Sequence, residues 1–389
     1  MPIVNRIAEF HDDIAAWRHD LHRNPELLYD VHRTAATVAE RLRGFGLDEV
    51  VTGIGRTGVV GVIKGRQSNS GKVIGLRADM DALPIMEATG KPYASTVAGK
   101  MHACGHDGHT AMLLGAARYL AETRNFDGTA IVIFQPAEEG GGGGKAMVED
   151  GMMERWNIGE VYGMHNMPGM AAGTFGIRKG SQLASTDEFI IDIVGNGGHA
   201  AAPHRSVDPI VVGAAIVQTL QTIVSRTIDP VQSAVVSVTK FHAGEAHNII
   251  PGTARLGGTV RTLDAGVRDR VEKRIGEIVA GVASAYGATA IVDYDRNYPV
   301  TRNHPRQTDF AAAVAGEIAG PAKVDPDTPP IMAGEDFSYM LEARPGAFIF
   351  IGNGDTAGLH NPAYDFNDAI IPLGSSYWAR LVERALPVG

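Results

Sequence analysis

The first half of the chain alternates short apolar runs with segments of helical periodicity, and this alternation restricts the fold more than any other feature. Apolar runs at 59–63, 73–77 and 130–134 predict strands, and residues 110–123 carry apolar side chains at helical spacing. Strands that alternate with helices form a mostly parallel sheet flanked by helices. The sequence therefore predicts an α/β domain in which polar residues after the strands collect at one sheet edge.

The region 185–298 has a different order of elements. Its pattern predicts a strand, a helix, two strands, a helix and a strand, at 189–194, 208–226, 234–241, 254–263, 266–286 and 288–294. This β-α-β-β-α-β order is the ferredoxin-like arrangement, which is self-contained at this length. We therefore predict a catalytic domain in two parts, 1–184 and 299–389, with an α+β domain inserted at 185–298.

Composition restricts the class of protein and its partners. The chain has 389 residues, of which 44% are hydrophobic and 20% charged, so we expect a globular protein of about two domains. Its net charge of -9 gives no reason to expect a nucleic acid or an anionic membrane as a partner. We expect no targeting signal and no membrane span. A single cysteine then favours the cytoplasm.

The only cysteine, Cys104, lies among histidines in the sequence MHACGHDGH at 101–109, just before the predicted helix. A lone thiol cannot form an intramolecular disulfide, whereas a thiolate beside imidazole binds zinc-like divalent ions. A solitary cysteine is more often a small buried apolar residue. The neighbouring ligand types favour metal binding here, with Cys104 and His106 as candidate ligands.

Two adjacent carboxylates, Glu138 and Glu139, follow the predicted strand at 130–134 and a Gln-Pro turn. Pairs of glutamates usually belong to a solvated surface, but a position after a buried strand is unusual for one. Adjacent side chains on an extended segment point apart, so one can bind a metal while the other holds a water molecule. Metal-assisted hydrolysis needs one carboxylate for each of these roles. The cation lowers the pKa of the water, and the second carboxylate takes the water's proton and transfers it.

Two further histidines add to the ligand set. His165 ends a strand-like run, and His360 lies near the far end of the chain. Either histidine alone is more often structural than a ligand, but a thiolate, a carboxylate and another histidine are predicted at the same sheet edge. Five ligands exceed one tetrahedral zinc site, so we predict two divalent metal ions per chain. Zinc, manganese, cobalt and nickel all accept such a mixed ligand set.

Seven motifs in fixed order resemble those of the M20 metallopeptidase family. They are LRADMDALP at 76–84, HACGHDGH at 102–109, QPAEEG at 135–140, GMH at 163–165, GGHAAAPH at 197–204, AGEDF at 333–337 and HNP at 360–362. Within the family the chain is most similar to the amidohydrolase branch of hippurate hydrolases, N-acetyl-amino-acid deacetylases and auxin-conjugate hydrolases. The wider family has His-x-Asp where this chain has Asp79 and Asp81, a departure that is usual in this branch.

The resemblance implies a role for each of these residues. The implied metal ligands are Cys104, His106, Glu139, His165 and His360. Glu138 is implied as the general base, and Asp81 as an acid that orients a ligand. The remaining histidines have no ligand role under this interpretation, namely His102, His109, His204, His242 and His247.

The inserted domain is similar to the family's lid, which also forms its dimer interface. The resemblance implies that His199 reaches the partner's active site in a dimer and stabilises the oxyanion. Asn248 and Arg261 match lid residues that contact the substrate, and arginine suits a substrate carboxylate because its planar fork meets both oxygens. Arg261 has a simpler alternative as a solvated strand residue. We expect a homodimer or a higher homo-oligomer.

These features predict a metal-dependent hydrolase that cleaves N-acyl amino acids to a carboxylic acid and a free amino acid. A dipeptidase or carboxypeptidase of the same family shares the core chemistry. A cysteine amidase, with Cys104 as the nucleophile, would leave both glutamates and the distant histidines without a role. A non-catalytic binding protein would not need both carboxylates and every ligand type.

We predict that the purified protein carries close to two divalent ions per chain and loses its activity when a chelator removes them. The reason is the five-ligand set, which exceeds the capacity of one tetrahedral ion. Metal analysis and activity assays before and after chelation measure both properties. Protein without metal, whose activity survives chelation but not thiol alkylation, would support the cysteine-nucleophile interpretation instead.

Overall fold

The computed structural model describes residues 3–389. The chain divides into two compact units: the first contains residues up to 182, 302–329 and 336–389, and the second contains 183–301 and 330–335. The sequence placed the corresponding boundaries at 184/185 and 298/299. Residues 330–335, which the sequence analysis placed in the catalytic domain, fall in the second unit.

The helices and strands follow in chain order. The helices are α1 Asn5–Glu9, α2 His11–Arg23, α3 His32–Gly44, α4 His106–Thr123, α5 Gly143–Glu149, α6 Met152–Arg155, α7 Pro209–Thr222, α8 Ala265–Ala285, α9 Pro305–Ala319, α10 Ser338–Ala343 and α11 Ile371–Ala385. The strands are β1 Glu49–Ile54, β2 Gly58–Lys64, β3 Val73–Asp79, β4 Thr129–Gln135, β5 Glu160–Pro168, β6 Phe175–Gly176, β7 Gly180–Leu183, β8 Ser185–Val194, β9 Gly198–His199, β10 Ala234–His242, β11 Ile249–Ile250, β12 Thr253–Thr262, β13 Thr289–Arg296, β14 Thr301–Asn303, β15 Val324–Asp325 and β16 Gly346–Gly354.

The first unit contains an eight-stranded sheet in the order β1-β2-β4-β3-β5-β16-β6-β15. The central strands β4, β3, β5 and β16 are parallel, which confirms the α/β prediction. The sheet as a whole is mixed, because β1 pairs antiparallel with β2, β2 with β4, and β6 with β16. The short turn between β1 and β2 accounts for one of these pairs, since a parallel connection needs a long crossover.

The central strands are buried because helices supply apolar surface against the sheet. In β4 every residue after Thr129 is buried, as expected for a strand covered on both faces. Helix α4 places Met112, Leu113 and Leu120 in the same core. It begins just after Gly105, whose φ of 92° lies in the left-handed region. A Cβ atom on Gly105 would lie 2.3 Å from Nδ2 of Asn166, so only glycine fits between Cys104 and His106.

The second unit has the predicted order of elements. Strands β10, β12, β8 and β13 form an antiparallel sheet in that spatial order, and the chain order β8-α7-β10-β12-α8-β13 is the ferredoxin-like one. Alternate residues of β8 are buried, as in a strand with one face against a core. Phe189, Ile191 and Ile193 from this strand pack with α7 and α8.

One helical segment departs from the expectation that no part of the chain could span a membrane. Within the described residues, Pro209–Thr227 is long and apolar enough by length and composition alone. Its residues Val212, Ile216 and Leu220 belong to the core of the second unit. A core helix passes the same criterion, so the segment is weak evidence for a span.

A buried polar cluster links α2, α4 and the irregular segment at 84–100. Asp107, at the start of α4, accepts hydrogen bonds from Arg18 at 3.3 Å and from His22 Nδ1 at 2.8 Å. The other ring nitrogen of His22 lies 3.3 Å from Oε1 of Glu87. Because a carboxylate faces each ring nitrogen, both nitrogens donate and the ring is cationic. Burial lowers the pKa of His22, but Asp107 and Glu87 outweigh burial and raise it to about 9.

We predict that His22 stabilises the metal-free protein fully below about pH 6.5 and that this contribution is lost as the pH rises to about 9. Between these values the folded protein keeps a proton that the unfolded chain releases, so the free energy of unfolding falls with rising pH. The loss is at most about 3 kcal/mol. Urea unfolding of the wild type and His22→Gln at pH 6 and pH 9.5 measures it. A difference between the two proteins that is the same at both pH values would contradict the prediction.

Candidate metal centre

The central strands bring the predicted side chains of the first unit to one edge of its sheet. Asp81 follows β3, Glu138 and Glu139 follow β4, His165 lies in β5, and His360 follows β16. Because β4, β3, β5 and β16 are parallel neighbours, the segments after them meet at the same edge. Helix α4 begins at His106 beside them.

Among the groups of side chains that could hold a metal ion, two contain Cys104. One group contains Cys104, His106 and His165, and the other contains Cys104, Glu139 and His360, with the ligand atoms of each group within 4.8 Å of one another. Together the two groups contain all five ligands implied by the resemblance. Cys104 belongs to both groups.

The orientations of two histidines suit metal binding. His106 Nδ1 lies 2.8 Å from the backbone oxygen of Asp81, and His165 Nδ1 lies 2.6 Å from the backbone oxygen of Asn166. Each Nδ1 therefore donates its proton to a carbonyl, which leaves Nε2 as the lone-pair nitrogen. Nε2 of His165 lies 3.4 Å from Sγ of Cys104. Metal-binding histidines are usually oriented by such a second hydrogen bond.

Two buried polar atoms support the fit of a cation. Nε2 of His106 is buried and has no hydrogen-bond partner among the described residues, and Oε1 of Glu139 is a buried atom near it. These atoms are 3.9 Å apart, and Oε1 of Glu139 is 3.3 Å from Nε2 of His360. Buried polar atoms are nearly always paired. Divalent ions would accept electron pairs from such nitrogen and oxygen atoms, so the residues present fit a metal site.

The carboxylate of Asp81 holds the turn that carries the two glutamates. Its two oxygens accept the backbone N–H of Glu138 at 3.0 Å and of Glu139 at 3.1 Å. The preceding residue, Ala137, has a φ of 53°, which is rare for a residue with a Cβ atom. Asp81 therefore fixes the backbone at the two glutamates, which lie in a turn and not in the extended segment that the sequence analysis expected. His106, Glu138 and Glu139 lie within 4.8 Å of one another.

The titration of the metal-free site reflects burial and the neighbouring acids. Burial, together with Glu139 and Glu138, raises the pKa of Cys104 well above its usual value. Burial lowers the pKa of His165 well below the ordinary range. For His106, burial lowers the pKa, but Asp79 and Asp81 outweigh burial and raise it to about 10. A bound cation would favour the thiolate and neutral imidazole, so metal binding releases protons.

His109, to which the sequence analysis gave no ligand role, is hydrogen-bonded to protein groups on both sides of its ring. Its Nδ1 lies 2.7 Å from Oδ1 of Asp79, and its Nε2 accepts the backbone N–H of Asn166 at 2.9 Å. Both ring nitrogens are therefore used. Burial lowers the pKa of His109, although Asp79 opposes this effect. These hydrogen bonds leave neither nitrogen of His109 free for a metal in this arrangement, although Asp79, His106 and His109 lie close enough together to form a candidate group.

Sequence reasoning missed a buried network centred on Arg77. This arginine donates to Asp79 at 2.7 Å, to Gln135 at 2.8 Å and to Asp336 at 3.0 Å. Asp336 also accepts the backbone N–H of Gly144 at 2.7 Å. The network fixes the end of β3, the end of β4 and the glycine run after the two glutamates. The motif at 333–337 was a signal for Asp336, but its partners were not predictable.

The remaining predicted residues belong to the second unit. His199 in β9 pairs with Ile249 in β11, and the backbone oxygen of Asn248 accepts the N–H of Ala200 at 3.1 Å, so His199 and Asn248 are neighbours. Both side chains are exposed. Arg261 lies in β12, where burial lowers its pKa and where it donates to the hydroxyl of Thr259. The roles of these three residues stay predictions.

A cavity of about 510 Å³ in the first unit lies away from these side chains. Val73 and Glu160, in its lining, begin β3 and β5, so the cavity is at the opposite ends of these strands from Asp79 and His165. None of the predicted site residues lines it. The chemistry of the ligand groups, not the size of a cavity, therefore identifies the candidate site.

Comparison with known proteins gives consistent matches. The model of peptidase family M20/M25/M40 matches residues 75–384. The chain is 44% identical to the hippurate hydrolase of Campylobacter jejuni over 99% of this chain and 100% of that protein. It is 41% identical to thermostable carboxypeptidase 2 of Saccharolobus solfataricus over 90% of this chain and 88% of that protein. The crystal structure of the Bacillus subtilis YXEP protein, a dinuclear metal binding peptidase from the M20 family, is 34% identical, with a TM-score of 0.85 over 97% of this chain and 99% of that chain. The chain therefore belongs to peptidase family M20/M25/M40, in its amidohydrolase branch, and is a hydrolase.

Proposed function

We propose that this hydrolase cleaves N-acyl amino acids, of the hippurate or N-acetyl-amino-acid type, to a carboxylic acid and a free amino acid. The observation that carries the proposal is the pair of glutamates, held by Asp81 beside the two ligand groups that share Cys104. The identity of 44% to a hippurate hydrolase over nearly the whole chain supports this substrate class.

The proposed ligands are Cys104, His106, Glu139, His165 and His360. Two divalent ions bound there would lower the pKa of a water molecule and polarise the amide carbonyl. Zinc, manganese, cobalt and nickel all suit thiolate, imidazole and carboxylate together.

Glu138 is the proposed general base. Its carboxylate accepts a proton from the attacking water and passes that proton to the leaving amide nitrogen as the carbon–nitrogen bond breaks. Glu138 is buried, and its backbone N–H is held by Asp81. The buried position limits competition from bulk water, and the hydrogen bond fixes the backbone that carries the Glu138 side chain. The water oxygen ends in the new carboxylic acid, and the nitrogen leaves as the free amine of the amino acid.

The proposal also assigns roles to three residues of the second unit, because they resemble residues of the family's lid. His199 would stabilise the oxyanion in the partner's site of a homodimer or higher homo-oligomer. Asn248 and Arg261 would recognise the free carboxylate of the substrate. Arginine can bind both oxygens of a carboxylate in parallel. We also propose that the enzyme acts in the cytoplasm on a small-molecule substrate.

A carboxypeptidase or dipeptidase activity is the second candidate, because the chain is 41% identical to a thermostable carboxypeptidase. Both activities cleave an amide bond next to a residue that carries a free carboxylate. They differ in the group on the acyl side of that bond. Cys104 as a nucleophile is disfavoured, although its sulfur lies 3.4 Å from an imidazole nitrogen. Burial raises its pKa, whereas nucleophilic cysteines have lowered pKa values.

A panel of benzoyl, acetyl and indoleacetyl amino acids, with dipeptides alongside, tests the function directly. We predict that the N-acyl amino acids give the higher kcat/KM, and that converting the substrate carboxylate to an amide lowers it strongly. Arg261→Ala should cause a similar loss on the acid substrate, on the order of 2–5 kcal/mol for a desolvated charge pair. Arg255→Ala, which removes an exposed arginine of the same strand, is the matched control. Equal hydrolysis of acid and amide forms by the wild type would point to a general amidase.

Glu138→Gln and Glu139→Gln should separate catalysis from metal binding. We predict that Glu138→Gln keeps both ions and loses about 10²–10⁴-fold in kcat, the usual worth of a general base. Glu139→Gln should lose metal as well, because it replaces a charged ligand. Metal analysis and steady-state kinetics on the same preparations measure both effects. The reverse result would exchange the roles of the two glutamates.

Mixed subunits can test whether His199 acts across an oligomer. We predict that His199→Ala lowers kcat about 10²–10³-fold, as for loss of one oxyanion donor, with little change in metal content. Hetero-oligomers of His199→Ala and Glu138→Gln chains should regain activity, because some sites then contain both intact groups. Verified mixed oligomers without any recovery would show that His199 acts within its own chain.

A further inference from the structure

Arg18 is a fully buried cation that the proposed mechanism does not use. It lies on α2, and its guanidinium contacts carboxylates from two distant parts of the sequence. Nη1 donates to Asp107 at 3.3 Å, Nε lies 2.8 Å from Oδ1 of Asp368, and Nη1 lies 3.7 Å from Oδ1 of Asp365. One planar group with several donors is therefore shared among three acids, a geometry that lysine cannot reproduce.

The three acids belong to the segments that carry proposed metal ligands. Asp107 directly follows His106 at the start of α4, so its position is coupled to that ligand. Asp365 and Asp368 follow His360 in the segment that leads to α11. The aromatic ring of Tyr93 lies 4.3 Å from the guanidinium, and its hydroxyl donates to Asp365 at 3.0 Å. Arg18 therefore joins the segment of His106 to the segment of His360.

The backbone conformation of His360 has to be held in place by neighbouring residues. This residue has a φ of 62°, in the left-handed region, and such conformations persist only where the surroundings hold them. One hydrogen bond, from the N–H of His360 to the oxygen of Ala103 at 2.8 Å, links it directly to the residue before Cys104. The side chain of His360 is about half exposed, whereas the other histidine ligands are buried. Side-chain packing therefore restrains His360 less than His106 or His165.

We infer that Arg18 is a positioning residue: through Asp107, Asp365 and Asp368 it holds the His360 segment against the Cys104–His106 segment, and it thereby sets the metal affinity of the group containing His360. The inference rests on the ligand roles proposed above. Partners that orient metal ligands typically change metal affinity by about 10- to 100-fold when they are removed.

Asp368→Ala is the primary test, because it breaks one arm of the link while every ligand stays in place. The Asp368 side chain is about a quarter exposed, so truncating it disturbs the core less than truncating the fully buried Asp107. The metal-free variant is titrated with Co²⁺, and the thiolate and d–d absorption bands report the two dissociation constants. We expect one constant to rise about 10- to 100-fold and the other to stay within about twofold of the wild type.

His360→Ala identifies which ion is affected. It should weaken the same ion as Asp368→Ala, and the double variant should bind that ion no more weakly than His360→Ala alone. Arg18→Lys should weaken it too, since lysine keeps the charge but not the fork. Asp20→Ala is the matched control, because Asp20 lies on the same helix in an exposed pair with Arg33; both of its constants should equal those of the wild type.

Two results would overturn the inference. In the first, Asp368→Ala lowers the melting temperature but leaves both cobalt constants unchanged, as a purely structural link would. In the second, the effects of Asp368→Ala and His360→Ala multiply in the double variant. Failure of the ligand roles would appear separately, as fewer than two cobalt ions bound by the wild type. A wrong substrate class would leave these measurements unchanged, because they use no substrate.

Discussion

Parallel pairing among β4, β3, β5 and β16 directs the segments after these strands to one edge of the sheet, where the candidate metal centre lies. Each segment contributes one kind of group. Asp81 follows β3, the adjacent glutamates follow β4, one imidazole lies in β5 and another follows β16. No single segment contains a complete ligand group, so the site depends on the pairing of the strands and on their buried apolar side chains.

Hydrogen bonding distinguishes ligand histidines from structural ones in this molecule. His106 and His109 lie on the same helix and are both buried. Both nitrogens of His109 are bonded to protein groups, whereas Nε2 of His106 makes no hydrogen bond to any residue that the structure describes. A histidine in a metal-binding motif is thus a candidate ligand only where one nitrogen is oriented by a neighbour and the other is available.

Local patterns predicted much of the fold and of the candidate site. Apolar runs followed by acids placed Asp81 and Glu138 at strand ends, and the element order of the second unit was correct. The antiparallel strand pairs in the sheet of the first unit were not predicted, and neither was the place of residues 330–335 in the second unit. Both depend on long-range packing. Arg18 and Asp336 were missed for the same reason, since their partners lie 89 and 259 residues away. The roles of His199, Asn248 and Arg261 depend on family resemblance alone.

The position of β16 affects how the chain can fold during synthesis. This strand pairs with both β5 and β6, inside the sheet of the first unit, although its residues are 346–354. The whole of 183–301, most of the second unit, is made before it. An unpaired strand edge can pair with another chain. A nascent chain therefore exposes the edge of β5 until residue 354 has left the ribosome. The sheet stays incomplete, and needs protection from pairing with other chains, while the intervening residues are synthesised.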